Sequence, residues 1–197
     1  MLSNLGMWIA RGLLALGGWR LVGAKPDAPK SVVIAAPHTS NWDGLLMVLA
    51  AFGLKARLKW LVKDSLYRFP LSILLKWVGA IPINRKASQN TVEQSKAIFD
   101  QAEELCIALA PESTRKRTEG WRSGFYYIAL AAKVPIYFGF IDYGTKSLGI
   151  DGKLVPTGNI EADMEVIRAF YQKITPRHPD QYGEIKIATR KPTSNDQ

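Results

Sequence analysis

Ser31-Val32-Val33-Ile34-Ala35-Ala36-Pro37-His38-Thr39-Ser40-Asn41-Trp42-Asp43 decides how this chain folds. From Ser31 to Ala36 the residues are small or β-branched and uncharged, which is how a strand buried on both faces reads. Pro37 ends that run, Thr39 to Trp42 form a polar loop, and Asp43 opens an apolar stretch to Phe52 at helical spacing. Strand, loop and helix repeat downstream. Strands are expected over 57–62, 80–83, 105–110 and 135–142, and helices over 70–78, 91–104 and 123–133. Tyr143-Gly144 reads as a hairpin turn into a strand over 148–150. A helix over 161–174, a final strand over 184–188 and a frayed tail over 191–197 follow. This alternation predicts an α/β fold: a single domain with a mixed central β-sheet flanked by helices, preceded by an N-terminal amphipathic helix. The expected divisions are 1–24 for that helix, 25–190 for the α/β domain and 191–197 for the tail.

The 197 residues suit one domain, and 47% hydrophobic with 22% charged residues excludes general disorder or a low-complexity fibre. Lys and Arg number 26 against 17 Asp and Glu, a net +9 that calls for an anionic partner. Nucleic acid, phospholipid headgroups and phosphorylated metabolites all satisfy that charge. Cys106 is the single cysteine and His38 and His178 the two histidines, so neither a disulfide framework nor a Cys/His zinc site can be assembled. A reducing compartment is the simplest setting.

The segment from Leu5 to Val22 is apolar but broken by Arg11 and Arg20. A spanning helix needs about 20 apolar residues and a central Arg costs roughly 2.5–3.5 kcal/mol, so a membrane crossing is not expected. Met1 to Ile9 also lack the basic start of a secretory leader. At helical pitch Leu2, Leu5, Ile9, Leu13 and Leu16 share one face opposite Asn4, Arg11 and Gly18. Such a helix either packs on its own domain or lies in a membrane interface. Trp8, Trp19 and a snorkelling Arg20 favour the interface.

Four segments carry chemistry. His38 and Asp43 lie five apart, about 140° on a continuous helix, so they meet only if the chain turns between them. Placed across the loop, Asp43 accepts a ring N–H and leaves the other imidazole nitrogen to take a proton. In the alternative arrangement Asp43 simply caps the helix and His38 is a loop residue. Gly79-Ala80-Ile81-Pro82-Ile83-Asn84-Arg85 is a strand ending in a guanidinium, whose planar fork suits a phosphate as well as open solvent. Ala110-Pro111-Glu112-Ser113-Thr114-Arg115 puts a carboxylate, two hydroxyls and a guanidinium at another strand end, followed by Lys116, Arg117 and Arg122. It is either an acceptor-binding loop or a solvated basic one. Val134-Pro135-Ile136-Tyr137-Phe138-Gly139 has no reactive group and reads as a core strand.

Taken in order, these segments resemble the glycerolipid acyltransferase family of 1-acylglycerol-3-phosphate type, whose best-known members make phosphatidic acid from lysophosphatidic acid. That family carries H-x-x-x-x-D, then G-x-I-x-I-x-R, then F-P-E-G-T-R-S, then V-P-I-x-P. Here His38 to Asp43, Gly79 to Arg85, Pro111 to Arg115 and Val134 to Ile136 stand in the same sequence, within a resemblance spanning about 31–139. Two positions depart: Ser113 replaces the usual Gly and Ala110 the usual Phe. The short chain and Trp42 within the first motif fit small bacterial relatives.

The resemblance implies transfer of an acyl group from a thioester, acyl-CoA or acyl carrier protein, to a hydroxyl of a lysolipid acceptor. It makes His38 the general base and Asp43 its orienter, without an acyl-enzyme. Arg85, Glu112, Ser113, Thr114 and Arg115, with Lys63 and Asn41, bind the acceptor. It implies no metal and no other cofactor, no nucleic acid, and a peripheral position on the cytoplasmic face of the inner membrane against its anionic surface. Within enzymology the competing nucleophiles are Ser113, which lacks a G-x-S-x-G elbow, and Cys106, which lies in a core strand. No P-loop is present, since Thr145 stands where its Lys is needed. Outside enzymology, Arg57, Lys59, Trp60 and Lys63 would serve a non-catalytic binder of anionic lipid or nucleic acid.

Overall fold

Residues 4–77, 79–83 and 88–188 are described by a computed structural model. In chain order they form α1 (Asn4–Leu16), β1 (Arg20–Gly23), β2 (Lys30–Ala36), α2 (Asn41–Gly53), β3 (Leu58–Lys63), α3 (Leu71–Trp77), β4 (Ala80–Ile83), α4 (Ser88–Gln101), β5 (Leu105–Leu109), α5 (Gly124–Ala132), β6 (Ile136–Asp142), β7 (Ser147–Leu154) and α6 (Ile160–Tyr171). The strands make one sheet in the order β1-β7-β6-β2-β5-β3-β4. From β6 to β4 all neighbours are parallel, β7 runs antiparallel to β6, and β1 is parallel to β7. The sheet is therefore mixed, as expected, and single.

Strand β2 lies at its centre, and its uncharged run is explained by what covers it. Val32, Ile34 and Ala36 join a core with Phe99 of α4, Phe125 and Ile128 of α5, and Met164 and Ile167 of α6. Ala35, pointing to the other face, packs with Leu14 of α1 and with Leu46, Met47 and Ala50 of α2. One layer is thus α4, α5 and α6, and the other contains α1 and α2. Helix α3 adjoins α2 through a Phe52–Trp77 ring contact at 6.0 Å. The chain leaves β2 for the α2 layer and leaves the adjacent β5 for the α5 layer. Diverging connections open a crevice at the C-terminal ends of β2 and β5, where open α/β sheets bind ligands.

The N-terminal helix, expected within 1–24, occupies only part of that stretch. It stops at Leu16 because Gly17 and Gly18 close it: Trp19 N–H donates to the Leu14 carbonyl (2.8 Å), Gly18 N–H to that of Ala15 (2.9 Å), and Gly18 takes φ +73°. Arg20–Gly23 then becomes an edge strand on β7, pairing Val22 with Gly149. Only glycine fits there, since a Cβ at Gly149 would sit 1.9 Å from the Val22 carbonyl oxygen. The strand expected over 184–188 does not form. Its backbone meets the sheet-free Trp121 segment at a single bridge, Trp121 to Ile187, with no neighbouring strand to extend it.

The two faces of α1 differ sharply. Ala10 and Leu14 are buried, and Arg11 Nε donates to the Gly53 carbonyl at 3.0 Å, which docks the helix on α2. Leu5, Trp8, Ile9, Leu13 and Leu16 face outward and are exposed. Leu14→Ala should therefore cost about 2–5 kcal/mol in urea denaturation. Leu16→Ala, at a side chain 87% exposed, should be close to neutral.

Candidate active site

Strand β2 delivers Pro37 and His38 to the crevice, and the loop that follows is built on Asp43. Ser40 is the N-cap of α2, its Oγ accepting from Trp42 N–H, and Asp43 at N3 completes a capping box. Asp43 Oδ2 accepts the backbone N–H groups of both Thr39 and Ser40 at 2.8 Å. The same oxygen stands 3.7 Å from His38 Nδ1. Helix capping and the dyad geometry are thus one arrangement: the bonds that start α2 curl the loop and carry the carboxylate to the imidazole. The His38 side chain is 30% exposed and Asp43 is buried. Burial lowers the His38 pKa, Asp43 opposes that shift and Arg115 adds to it, which favours a neutral ring.

The loop after β5 meets this loop from the other side. Glu112 is 4% exposed, and its Oε1 accepts the His38 backbone N–H at 3.0 Å. The sequence places Glu112 among acceptor-binding residues, but the structure turns its carboxyl inward, where it fastens the two loops together. Burial pushes that carboxyl up to about 7, the His38 N–H draws it down, and Asp43 adds to the rise. Ser113 sits at φ +59°, in the left-handed region natural to glycine. Ser113, Thr114 and Arg115 are all exposed. Arg115 Nη1 donates to Asn41 Oδ1, tying this rim to the first turn of α2.

Of the other expected residues, Lys63 stands further along the sheet, on the second strand from β2. Lys63 closes β3 and pairs with Ile83 at the end of β4. Arg85 lies outside the described residues; strand β4, which leads to it, is the third strand from β2 on the β5 side. Burial pushes the Cys106 thiol up to about 11, outweighing the hydrogen bond that Ser31 Oγ donates to its sulfur at 3.2 Å, which disfavours the thiolate a nucleophile needs.

The structure also brings in residues that the sequence reading passed over. Tyr143, which follows β6 in the hairpin turn, donates its hydroxyl to Asp43 Oδ1 at 2.7 Å. The segment after α6 returns over the site. His178 N–H donates to Thr39 Oγ1 at 3.2 Å, and Gln181, with its amide nitrogen inward, donates to the carbonyls of Arg115 and Thr39. Position was the available signal: β6 is the other neighbour of β2, so its C-terminal end abuts the crevice.

A family model described as Acyltransferase matches residues 22–138, well over half of the chain and all four motifs up to Phe138. The chain belongs to the acyltransferase family. This acyltransferase is similar in fold to the crystal structure of the 1-acyl-sn-glycerophosphate (LPA) acyltransferase PlsC from Thermotoga maritima, with a TM-score of 0.56 and 16% identity over 87% of this chain and 78% of that one. No curated protein sequence matches it.

The buried Glu112 gives the acyltransferase a pH-dependent stability. A carboxyl raised from 4.5 to about 7 binds its proton more tightly when folded, so its contribution is full below about pH 4.5 and is lost as pH rises through 7. Glu112→Gln retains an oxygen for the His38 N–H. It should be more stable than the native protein at pH 8.5, by on the order of 2–3 kcal/mol, and gain nothing at pH 4. Urea denaturation at both pH values checks this, and an equal difference at both would refute the assignment.

Proposed function

We propose that this acyltransferase moves a fatty acyl group from a thioester, acyl-CoA or acyl carrier protein, to a hydroxyl of a lysophospholipid-like acceptor of the 1-acylglycerol-3-phosphate kind. The observation that carries this reading is a partly exposed imidazole 3.7 Å from a buried carboxylate, beside an exposed rim of Ser113, Thr114 and Arg115. His38 takes the acceptor's proton at Nε2 while the hydroxyl oxygen attacks the thioester carbonyl carbon. Asp43 steadies the imidazolium. The C–S bond then breaks, and the departing thiolate recovers the proton. Attack by the acceptor itself needs no enzyme nucleophile, in keeping with the protonated Cys106. Arg115 and the two hydroxyls face the acceptor's phosphate, with Asn41 holding the guanidinium; Arg85 and Lys63 are proposed to widen that anionic subsite. PlsC, described as an LPA acyltransferase, supports the choice of acceptor by its likeness of fold.

The acyltransferase assay follows thiol release from acyl-CoA with and without lysophosphatidic acid. His38→Ala should fold, by circular dichroism, and lose turnover by at least about a thousandfold, within the range for a general base. Because burial lowers the His38 pKa, the acid limb of kcat/KM should lie below the ordinary value of 6.5. A folded, fully active His38→Ala protein would overturn the mechanism.

A peripheral membrane position belongs to the same proposal. No helix among the described residues is long and apolar enough to cross a membrane. The layer containing α1 and α2, with neighbouring α3, nevertheless carries most of the large exposed apolar side chains: Trp8 and Leu13 on α1, Trp42 on α2, and Phe69, Ile73 and Trp77 at α3 are examples. Arg11, Arg20, Arg68 and Lys76 are exposed among them, against Asp64. Apolar surface fringed by cations is complementary to anionic phospholipid. Trp8→Ser with Ile9→Ser, both on the outward face, should leave the melting temperature nearly unchanged and abolish co-sedimentation with phosphatidylglycerol vesicles at high salt. Full-length protein that stays in the supernatant at low salt would exclude this surface.

A further inference from the structure

We propose that Tyr143 is a positioning residue of the site, holding the Asp43 carboxylate in the plane in which it serves His38. The proposal rests on the reading of His38 as the base. Asp43 has two oxygens with different neighbours. Oδ2 receives two backbone N–H groups and faces the imidazole, whereas Oδ1 receives the Tyr143 hydroxyl at 2.7 Å. With Asp43 1% exposed, water cannot readily replace that donor.

The phenol is itself held on two sides. The Trp19 ring meets it edge-on at 5.0 Å, from the turn that ends α1. The Arg177 guanidinium lies 5.9 Å from its centroid and 5.8 Å from that of Trp42, from the segment that returns over the crevice. Burial and then the Asp43 carboxylate raise the Tyr143 pKa, while Arg177 draws it down; the net direction keeps the hydroxyl protonated and hence a donor. The charged groups facing His38 are Asp43, Arg115 and Glu112, the last through the backbone N–H. Among the described residues Tyr143 is bonded to Asp43 and Asp43 faces His38, so the effect of the phenol on the imidazole is read through that carboxylate. Removing its O–H leaves Oδ2 anchored by Thr39 and Ser40 and returns to the carboxylate the charge that the phenol drew off. The imidazolium is then better stabilised, so the His38 pKa rises. The free Oδ1 also loosens the carboxylate plane, which weakens orientation of the ring during transfer.

Tyr143→Phe deletes the hydroxyl and keeps the ring. With two histidines in the chain, NMR titration of the imidazoles in substrate-free protein reads His38 directly, with His178→Gln as the assignment control. The expected result is an upward shift of the His38 pKa, together with a kcat lower by roughly tenfold and unchanged KM for both substrates. Fluorinated tyrosine inserted at 143, a stronger donor of nearly the same shape, should shift His38 downward and retain most of kcat. A packing role alone would change the melting temperature without moving His38. An unchanged or lowered His38 pKa in Tyr143→Phe, or equal shifts in both variants, would overturn the proposal. Failure of the native protein to acylate lysophosphatidic acid would instead strike the proposed acceptor, and the titration would still decide the role of Tyr143.

Discussion

The capping of α2 by Asp43 is the interaction on which the rest of the site depends. A helix start leaves its first N–H groups without partners, and here Ser40 and Asp43 supply them. A carboxylate at N3 that reaches back to two amides must sit directly over the loop it closes, and the loop begins at His38. The dyad is therefore a by-product of capping geometry. An aspartate has the right length for both tasks; a glutamate would relax the curl and an asparagine would retain the cap while surrendering the charge.

Parallel strands give that loop its place. Strands β2 and β5 are neighbours whose connections leave for opposite layers, so the His38 loop and the Glu112 loop face each other across the crevice without competing for space. The bond from His38 N–H to Glu112 ties them. Two features there are unfavourable in isolation: a carboxyl buried at 4% exposure and a serine at positive φ. Both are tolerated because the surrounding core over-determines the backbone, with β2 packed on both faces by α2 and α5. The exposed Ser113, Thr114 and Arg115 then project from a rigid base.

Much of this was legible in the sequence because the deciding signals are local. The uncharged run from Ser31 to Ala36 announces a doubly covered strand, and the motif order places His38, Asp43 and the Glu112 loop at strand ends. Where the reading failed, a nonlocal partner decided the outcome. Arg20 to Val22 continue an amphipathic pattern, yet Gly17 and Gly18 end the helix and the exposed edge of β7 recruits the segment as a strand. Residues 184–188 alternate like a strand but find only Trp121 to pair with. The tie from Glu112 to the His38 N–H is likewise nonlocal, and only the fold shows it. Tyr143 lies a hundred residues from Asp43, a separation across which composition and periodicity carry no information.

The unequal clothing of the two helical layers follows from the same topology. Helices α4, α5 and α6 are fastened on their inner side by a large core and expose few large apolar side chains, Tyr127 and Val166 among the described residues, whereas α1 and α3 are thinly supported and keep many outside. Leaving so much apolar surface in water disfavours the monomer in solution, at roughly 25 cal/mol for each Å². Such a surface persists without an aggregation penalty when something apolar covers it in the cell. Trp42 belongs to this exterior and lies four residues from His38, and Trp19, at the foot of α1, touches Tyr143. The outward layer and the His38–Asp43 pair are thus joined by packed side chains, Trp19 on Tyr143 and Tyr143 on Asp43, so a change in what covers α1 is felt at the crevice through contacts that are already closed.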